Sequence, residues 1–330
     1  MAKRWQRVLA GDIGGTKTWL ALYDAEPGGS LECVAEAKLA SGDHPSLRSA
    51  IESFLEQSGA SLDELRGAAF GIAGPIRGRR VQTTNLPWII DADRLTEALT
   101  VESVTLLNDF HAIALGIDEL TDEQLPVLKD GELDPNGPRV ILGAGTGLGV
   151  AVVTGEGQVL SSEGGHIGFA PRDEFERALL AHLSDKHPRV SVERIVSGMG
   201  LEAIYEFVVT TGRAETSIRT KVEAEGGAAI TEGALAGDAA AKLTLERFVE
   251  AYGAVAGELA LVVLATGGLY VAGGIAPKLH AAIPDFAERF SAGMLPKGRM
   301  RPLMEATTVR LVNEPRVGLL GARRAALNAL

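Results

Sequence analysis

The dipeptide Asn108-Asp109 follows Val101 to Leu107, which reads as a strand. The carboxyl end of a strand is where open α/β sheets present side chains to a ligand. Transfer of a phosphoryl group to an alcohol needs a carboxylate that accepts the hydroxyl proton in line with the donor's terminal phosphate, and Asp109 suits that role. The same dipeptide also suits a helix cap, because a helical pattern follows it. Phosphates are held by backbone N–H groups in turns that no Cβ obstructs. Gly11-Asp12-Ile13-Gly14-Gly15-Thr16 and the run from Gly143 to Gly149, with Gly145-Thr146-Gly147 at its tip, lie between apolar strands. Glycine there permits φ > 0 and close approach of a ligand, and plain tight hairpins are the other explanation. Neither run has the spacing of a Walker or dinucleotide motif. Asp12, beside the first turn, can hold water on a phosphate-bound Mg²⁺, or can simply form the turn. Glu163, His166 and Glu193 can accept from and donate to sugar hydroxyls. Singly, the histidine also fits a packed core and Glu193 a solvated helix. His182 and His187 show no metal-ligand spacing and are expected at the surface.

The elements that must position these residues follow from periodicity and punctuation. Val8 to Ala10 and Thr18 to Tyr23 form a hairpin, Leu31 to Leu39 adds a strand, and Pro45 to Gln57 places Leu47, Ile51, Phe54 and Leu55 on one helix face. Ala68 to Ala73 is a buried strand stopped by Gly74-Pro75. Val81 to Ile90 is extended and brings Asn85 and Trp88 toward the ligand region, and Asp91 or Asp93 caps the next helix. Phe110 to Gly116 starts a helix expected to cross between domains, whereas Thr121 to Pro138 is acidic, aperiodic and reads as a surface loop. Val140 to Val153 is the central hairpin, with a further turn at Gly155 to Gly157. Asp173 to Leu183 is helical, Ser191 caps a turn holding Glu193, and Gly198 to Gly200 introduces a helix through Leu201, Ile204, Phe207 and Val208. Short helices fill Ala214 to Gly237. A long one, Lys242 to Ala265, has Gly253 and Gly257 for close packing; Gly273-Gly274 opens another helix, and Val317 to Ala326 is the last.

With 330 residues the chain exceeds the size at which one core stops growing, so two α/β domains around a cleft are expected. Lys and Arg number 32 against 43 Asp and Glu, a net charge of −11 that disfavours nucleic acid and anionic membrane as partners. Cys33 is the only cysteine, so neither a disulfide framework nor a thiolate zinc site is expected. Lys3, Arg4 and Arg7 precede no apolar segment before Asp12, which argues against a secretory signal and for a cytoplasmic location. Leu259 to Ala276 is an uncharged stretch of 18 residues, but its glycine pairs divide it into a helix end, a turn, a strand Leu269 to Ala272 and another turn.

G-D-I-G-G-T (Gly11 to Thr16), L-N-D-F (Leu107 to Phe110), G-A-G-T-G-L-G (Gly143 to Gly149), S-E-G-G-H (Ser162 to His166), V-E-R-I-V-S-G-M-G-L and V-A-G-G-I, in this order, resemble the bacterial glucokinase family. The resemblance spans nearly the whole chain. It implies a two-domain actin-like ATPase (ribonuclease H-like) α/β fold, with a cleft between a smaller N-terminal domain, residues 1–116, and a larger one, residues 117–315. A C-terminal helix, about residues 316–330, would pack back on the first. It further implies phosphorylation of D-glucose at its 6-hydroxyl by Mg²⁺-ATP, the first step of glycolysis, and a homodimer. Asp109 would be the general base, and Asn108, Asp109, Glu163, His166 and Glu193 would hold the sugar. Gly11, Asp12, Gly14, Gly15 and Thr16, with Gly145, Thr146 and Gly147, would grip phosphates; Gly273 and Gly274 would border the adenosine. Lys17 departs from the asparagine common in these glucokinases and is closer to the related repressor and sugar-kinase group. That group carries a cysteine-rich zinc motif absent here, so no zinc is expected. A kinase for another hexose, a polyphosphate-dependent glucokinase, a non-catalytic sugar-sensing regulator and an actin-like ATPase are the competing expectations. The regulator would need a DNA-binding module ahead of Val8, and the ATPase would leave Glu163, His166 and Glu193 without a purpose.

Overall fold

The computed structural model describes residues 6–26, 30–61, 64–83 and 86–330. The chain divides into two compact units, one comprising the residues up to Thr121 together with Glu314–Leu330, the other Asp122–Asn313. Asn85 lies outside the described residues.

In the first unit, apolar runs form β1 (Gln6–Ile13), β2 (Lys17–Ala25), β3 (Leu31–Ala40) and β4 (Leu65–Ile72). The short strands β5 (Ile76–Arg77), β6 (Arg80–Gln82) and β7 (Ile89–Asp91) make a small antiparallel sheet before β8 (Ser103–Asn108). The main sheet has the order β3-β2-β1-β4-β8, with β1, β4 and β8 parallel. Strand alternation sends Leu9 and Ile13 to one face and Val8, Ala10 and Asp12 to the other. The first face packs with α1 (Leu47–Ser58) and α2 (Ala92–Leu99) in a core that includes Phe54, Phe70 and Trp88. The second packs with α3 (Asp109–Gly116) and the C-terminal helix Val317–Asn328, through Ala112, Leu319, Ala322 and Ala326. These two helices touch backbone to backbone: a Cβ on Gly116 would overlap the Val317 carbonyl, and one on Gly321 the Ala112 carbonyl.

The second unit holds β9 (Val127–Lys129), β10 (Arg139–Ala144), β11 (Leu148–Val153), β12 (Val159–Ser162), β13 (Leu269–Ala272) and β14 (Val309–Leu311), in the sheet order β12-β11-β10-β13-β14-β9. Around it lie α4 (Glu174–Ser184), α5 (Gly198–Thr210), α6 (Arg219–Glu225), α7 (Gly227–Leu235), α8 (Ala239–Val263), α9 (Ala276–Ala282), α10 (Phe286–Met294) and α11 (Arg301–Ala306). Gly253 and Gly293 let α8 and α10 meet, since a Cβ on either would overlap the other helix's backbone. Among the described residues no helix is long and apolar enough to cross a membrane; Leu259 to Ala276 divides into the end of α8, a turn and the buried β13.

Several expectations are corrected. Within Thr121 to Pro138 a strand, β9, pairs with β14, because Leu125 and Leu128 turn into the core while Val127 faces outward. The helix after Asp109 does not cross between domains; its Ala112 and Gly116 are buried in the first unit. Trp88 is a core residue, with 2% of its surface exposed and its indole N–H donating to the His44 carbonyl at 3.0 Å. Asp91, not Asp93, caps α2 by accepting from the N–H groups of Asp93 and Arg94. Ser191 caps nothing with its side chain; its carbonyl accepts from Arg194 N–H. His182 is half-buried, with its ring tilted against Phe207.

Candidate active site

In the first unit the parallel register pairs Ile13 with Ile72 and Ile72 with Asn108, so the carboxyl ends of β1, β4 and β8 lie side by side. Asp12, Asn108 and Asp109 stand at these ends. The cap reading of Asn108-Asp109 holds: Asn108 Oδ1 accepts from Phe110 N–H at 3.0 Å, and Asp109 Oδ1 accepts from the same N–H at 2.9 Å. This does not compete with chemistry. It fixes the asparagine amide and places the Asp109 carboxylate in the first helical turn. Gly71 permits the close seating of α3, since a Cβ there would lie 2.8 Å from Ala112 Cβ.

Asp12 is partly buried, and its carboxyl is pushed up to about 6, first by burial, then by the charge of Asp109, with Lys38 opposing both. Lys38 reaches it along a cross-strand row, Asp12 to Trp19 to Lys38, with the Lys38 ammonium 3.4 Å from the Trp19 ring centroid. From the other side, the Asp12 carboxylate abuts the first turn of the C-terminal helix, where a Cβ on Gly318 would stand 3.2 Å from Oδ2. The adjoining glycine turn is braced by Ser41. Gly14 N–H donates to the Lys17 carbonyl at 2.9 Å, and Ser41 donates its hydroxyl to the Gly14 carbonyl and its N–H to that of Thr16. Thr16 and Lys17 are exposed and Gly15 half-buried.

The second unit gathers the other group of residues. Glu193 Oε2 accepts from Leu148 N–H at 3.0 Å, and a Cβ on Gly147 would overlap the same oxygen. Glycine at position 147 is therefore what lets this carboxylate lie against the central hairpin. His166 stands between two carboxylates, Nδ1 at 3.8 Å from Glu193 Oε1 and Nε2 at 3.7 Å from Glu163 Oε2. The imidazole is more than half exposed, so its polar edge is open to a ligand. Gly164 and Gly165 make this possible by packing against Val150 and Leu148 of β11. Val192 N–H donating to the Ile167 carbonyl at 2.9 Å holds the Glu193 turn beside the His166 turn.

The glycine turns of this unit adjoin. Gly145 N–H donates to the Gly147 carbonyl at 2.8 Å, and the Gly145 carbonyl accepts from Gly198 N–H at 2.8 Å. Ile275 N–H donates to the Ala144 carbonyl, from which a Cβ on Gly273 would stand only 2.6 Å. The expectation of positive φ applies to Gly273 at φ 81° and to Gly157 at φ 82°, but not to Gly14, Gly15, Gly145 or Gly147. At Gly147 close approach sets the requirement, and at Gly145 and Gly274 a Cβ would enter open space. Lys38, Gly318 and the Leu148 N–H are parts of these sites that motif reading misses; the strand register of two hairpins is the signal that could have found Lys38.

The family model described as Glucokinase matches residues 9–329. A glucokinase of Trichormus variabilis is 42% identical over 335 residues, covering 96% of this chain and 97% of that protein. The crystal structure of a glucokinase from an Antarctic psychrotroph is 31% identical, with a TM-score of 0.82 over 98% of this chain and all of that one. A ROK-family glucokinase of Streptomyces griseus, solved with glucose and AMPPNP, shares the fold at 19% identity, with a TM-score of 0.64 over 98% and 99% of the two chains. The architecture is thus the actin-like ATPase fold of the sugar kinases. With a family match over almost its full length and a relative above 40% identity on the same span, this chain belongs to the glucokinase family.

Proposed function

We propose that this sugar kinase transfers the terminal phosphoryl group of Mg²⁺-ATP to the 6-hydroxyl of D-glucose, with Asp109 as general base. One observation carries the reading: the carboxylate of Glu193 is bonded to the backbone of the hairpin whose tip is Gly145-Thr146-Gly147. Glu193, assigned to the sugar, and Gly145-Thr146-Gly147, assigned to the phosphates, are thereby parts of one local structure within the second unit. Glu163 and Glu193 accept from sugar hydroxyls, His166 donates or accepts, and the Asn108 amide, its oxygen occupied by Phe110, presents N–H donors. Asp109 accepts the hydroxyl proton as the sugar oxygen bonds to phosphorus, and the departing ADP oxygen takes the electron pair of the breaking P–O bond.

The residues present fit a Mg²⁺ carried by the nucleotide. Asp12 and Asp109 repel one another in a partly buried setting, which a divalent cation relieves. Among the described residues no group of three or more His, Cys, Asp or Glu could hold a metal, and Mg²⁺ bound mainly by phosphates and water needs only one or two carboxylates. When bound, the ion would neutralise developing phosphate charge, with Asp12 holding one of its waters. The open space above Gly145 and Gly274 fits phosphate and adenosine against bare backbone. The glucose and AMPPNP in the Streptomyces griseus glucokinase support the same pair of substrates. A cytoplasmic homodimer completes the reading.

The test is turnover of purified enzyme on a panel of hexoses with ATP or polyphosphate. Glucose with Mg²⁺-ATP is expected to give the highest kcat/KM. Turnover from polyphosphate alone, or a different preferred hexose, overturns the assignment.

A further inference from the structure

Strands β10 and β13 run parallel and in register from Val140↔Leu269 to Gly143↔Ala272, and the pairing ends there. At that last rung a side chain enters the ladder. Ala144 N–H donates to the Tyr252 hydroxyl at 2.9 Å, and that hydroxyl donates to the Ala272 carbonyl at 3.5 Å. Tyr252 comes from the middle of α8 and is fully buried, with Phe248 and Phe290 edge-on to its ring at 6.1 and 5.6 Å. Ala144 and Ala272 immediately precede the turns Gly145–Gly147 and Gly273–Gly274. One phenol oxygen therefore bridges the roots of both turns where their strands part.

We propose that Tyr252 is a positioning residue for the phosphoryl donor: its hydroxyl holds the Gly145–Gly147 and Gly273–Gly274 turns at the spacing that a nucleotide requires. This rests on the reading that these turns take ATP. A turn pair without this anchor must be ordered on binding, and pre-organisation removes that penalty. The residue touches neither sugar nor phosphate, so its removal separates the two substrates kinetically.

The experiment is Tyr252→Phe, which keeps the ring and deletes the hydroxyl. The KM for ATP should rise roughly fivefold to tenfold, as for a lost buried hydrogen bond, with the KM for glucose unchanged. Phe286→Leu, a trim in the same core away from the hydroxyl, should lower the melting temperature and leave the KM for ATP alone. A Tyr252→Phe enzyme with parental KM for ATP overturns the inference and leaves the donor assignment standing. A parent enzyme that fails to bind AMPPNP by calorimetry refutes the donor assignment and this inference together. Amide exchange in the parent enzyme needs no variant and covers a misfolded Tyr252→Phe. Adding AMPPNP should slow exchange at both Gly145 and Gly273, and slowing at one turn only would count against a shared anchor.

Discussion

Two neighbouring carboxylates, Asp12 and Asp109, face opposite demands. The Asp12 carboxyl, pushed up to about 6 by burial and by Asp109, binds its proton more tightly folded than unfolded, where about 3.8 applies. Between pH 4 and 6 the folded state thus holds the extra proton, and stability falls as pH rises through that window and stays lower above it. A shift of two units corresponds to about 3 kcal/mol at most. Asp12→Asn should therefore raise the melting temperature at pH 7 without nucleotide, while activity at limiting Mg²⁺ drops; thermal unfolding across pH 4–8 checks the first and Mg²⁺ titration the second. Asp109→Asn should keep glucose binding and lose about 10²–10⁴ in kcat. Near-normal turnover in that variant would remove Asp109 from the mechanism. His166→Ala should mainly raise the KM for glucose, about tenfold, because its two carboxylate neighbours persist. These residues were legible because each sits in a short polar motif between apolar runs. Lys38 and Tyr252 were not, since a lysine on an edge strand and a tyrosine in an Ala-rich helix look ordinary until register and crossing bring them to the site.

At the scale of elements, glycine carries two different jobs. In the central hairpin Gly147 makes room for Glu193, so Gly147→Ala should push that carboxylate away and raise the KM for glucose, which steady-state kinetics on the variant checks. In the first unit Gly116 and Gly321 fuse α3 to the C-terminal helix. Gly321→Val should destabilise by about 3 kcal/mol or more through overpacking, and lower the melting temperature by roughly 6–12 °C. The hairpins were readable from sequence because apolar alternation and glycine turns reinforce one another. β9 was not, because three residues are too few for a period and one of them, Val127, faces solvent. The sign of φ in the turns was not readable either, since glycine serves close approach and unusual backbone angles equally.

At the scale of the molecule, length and the paired glycine turns suggest two domains, but sequence pattern alone does not say that the last helix belongs with the first sheet. That helix packs on β1, β4 and α3, and its first turn abuts Asp12. Ending the chain at Asn313 would remove one of the two helices covering that face of the first sheet and expose part of the Val8, Ala10 and Ala69 cluster. The shortened protein should lose glucose phosphorylation, and limited proteolysis should digest the residues up to Thr121 while sparing Asp122–Asn313. The arrangement also inverts the usual order of folding on the ribosome, where what emerges first matures first. Here the inner segment can complete its core while the amino-terminal strands, already synthesised, wait for Glu314–Leu330. The Gly318 backbone reaches the Asp12 carboxylate only then, so the first unit closes over that residue after the whole of the second has been made.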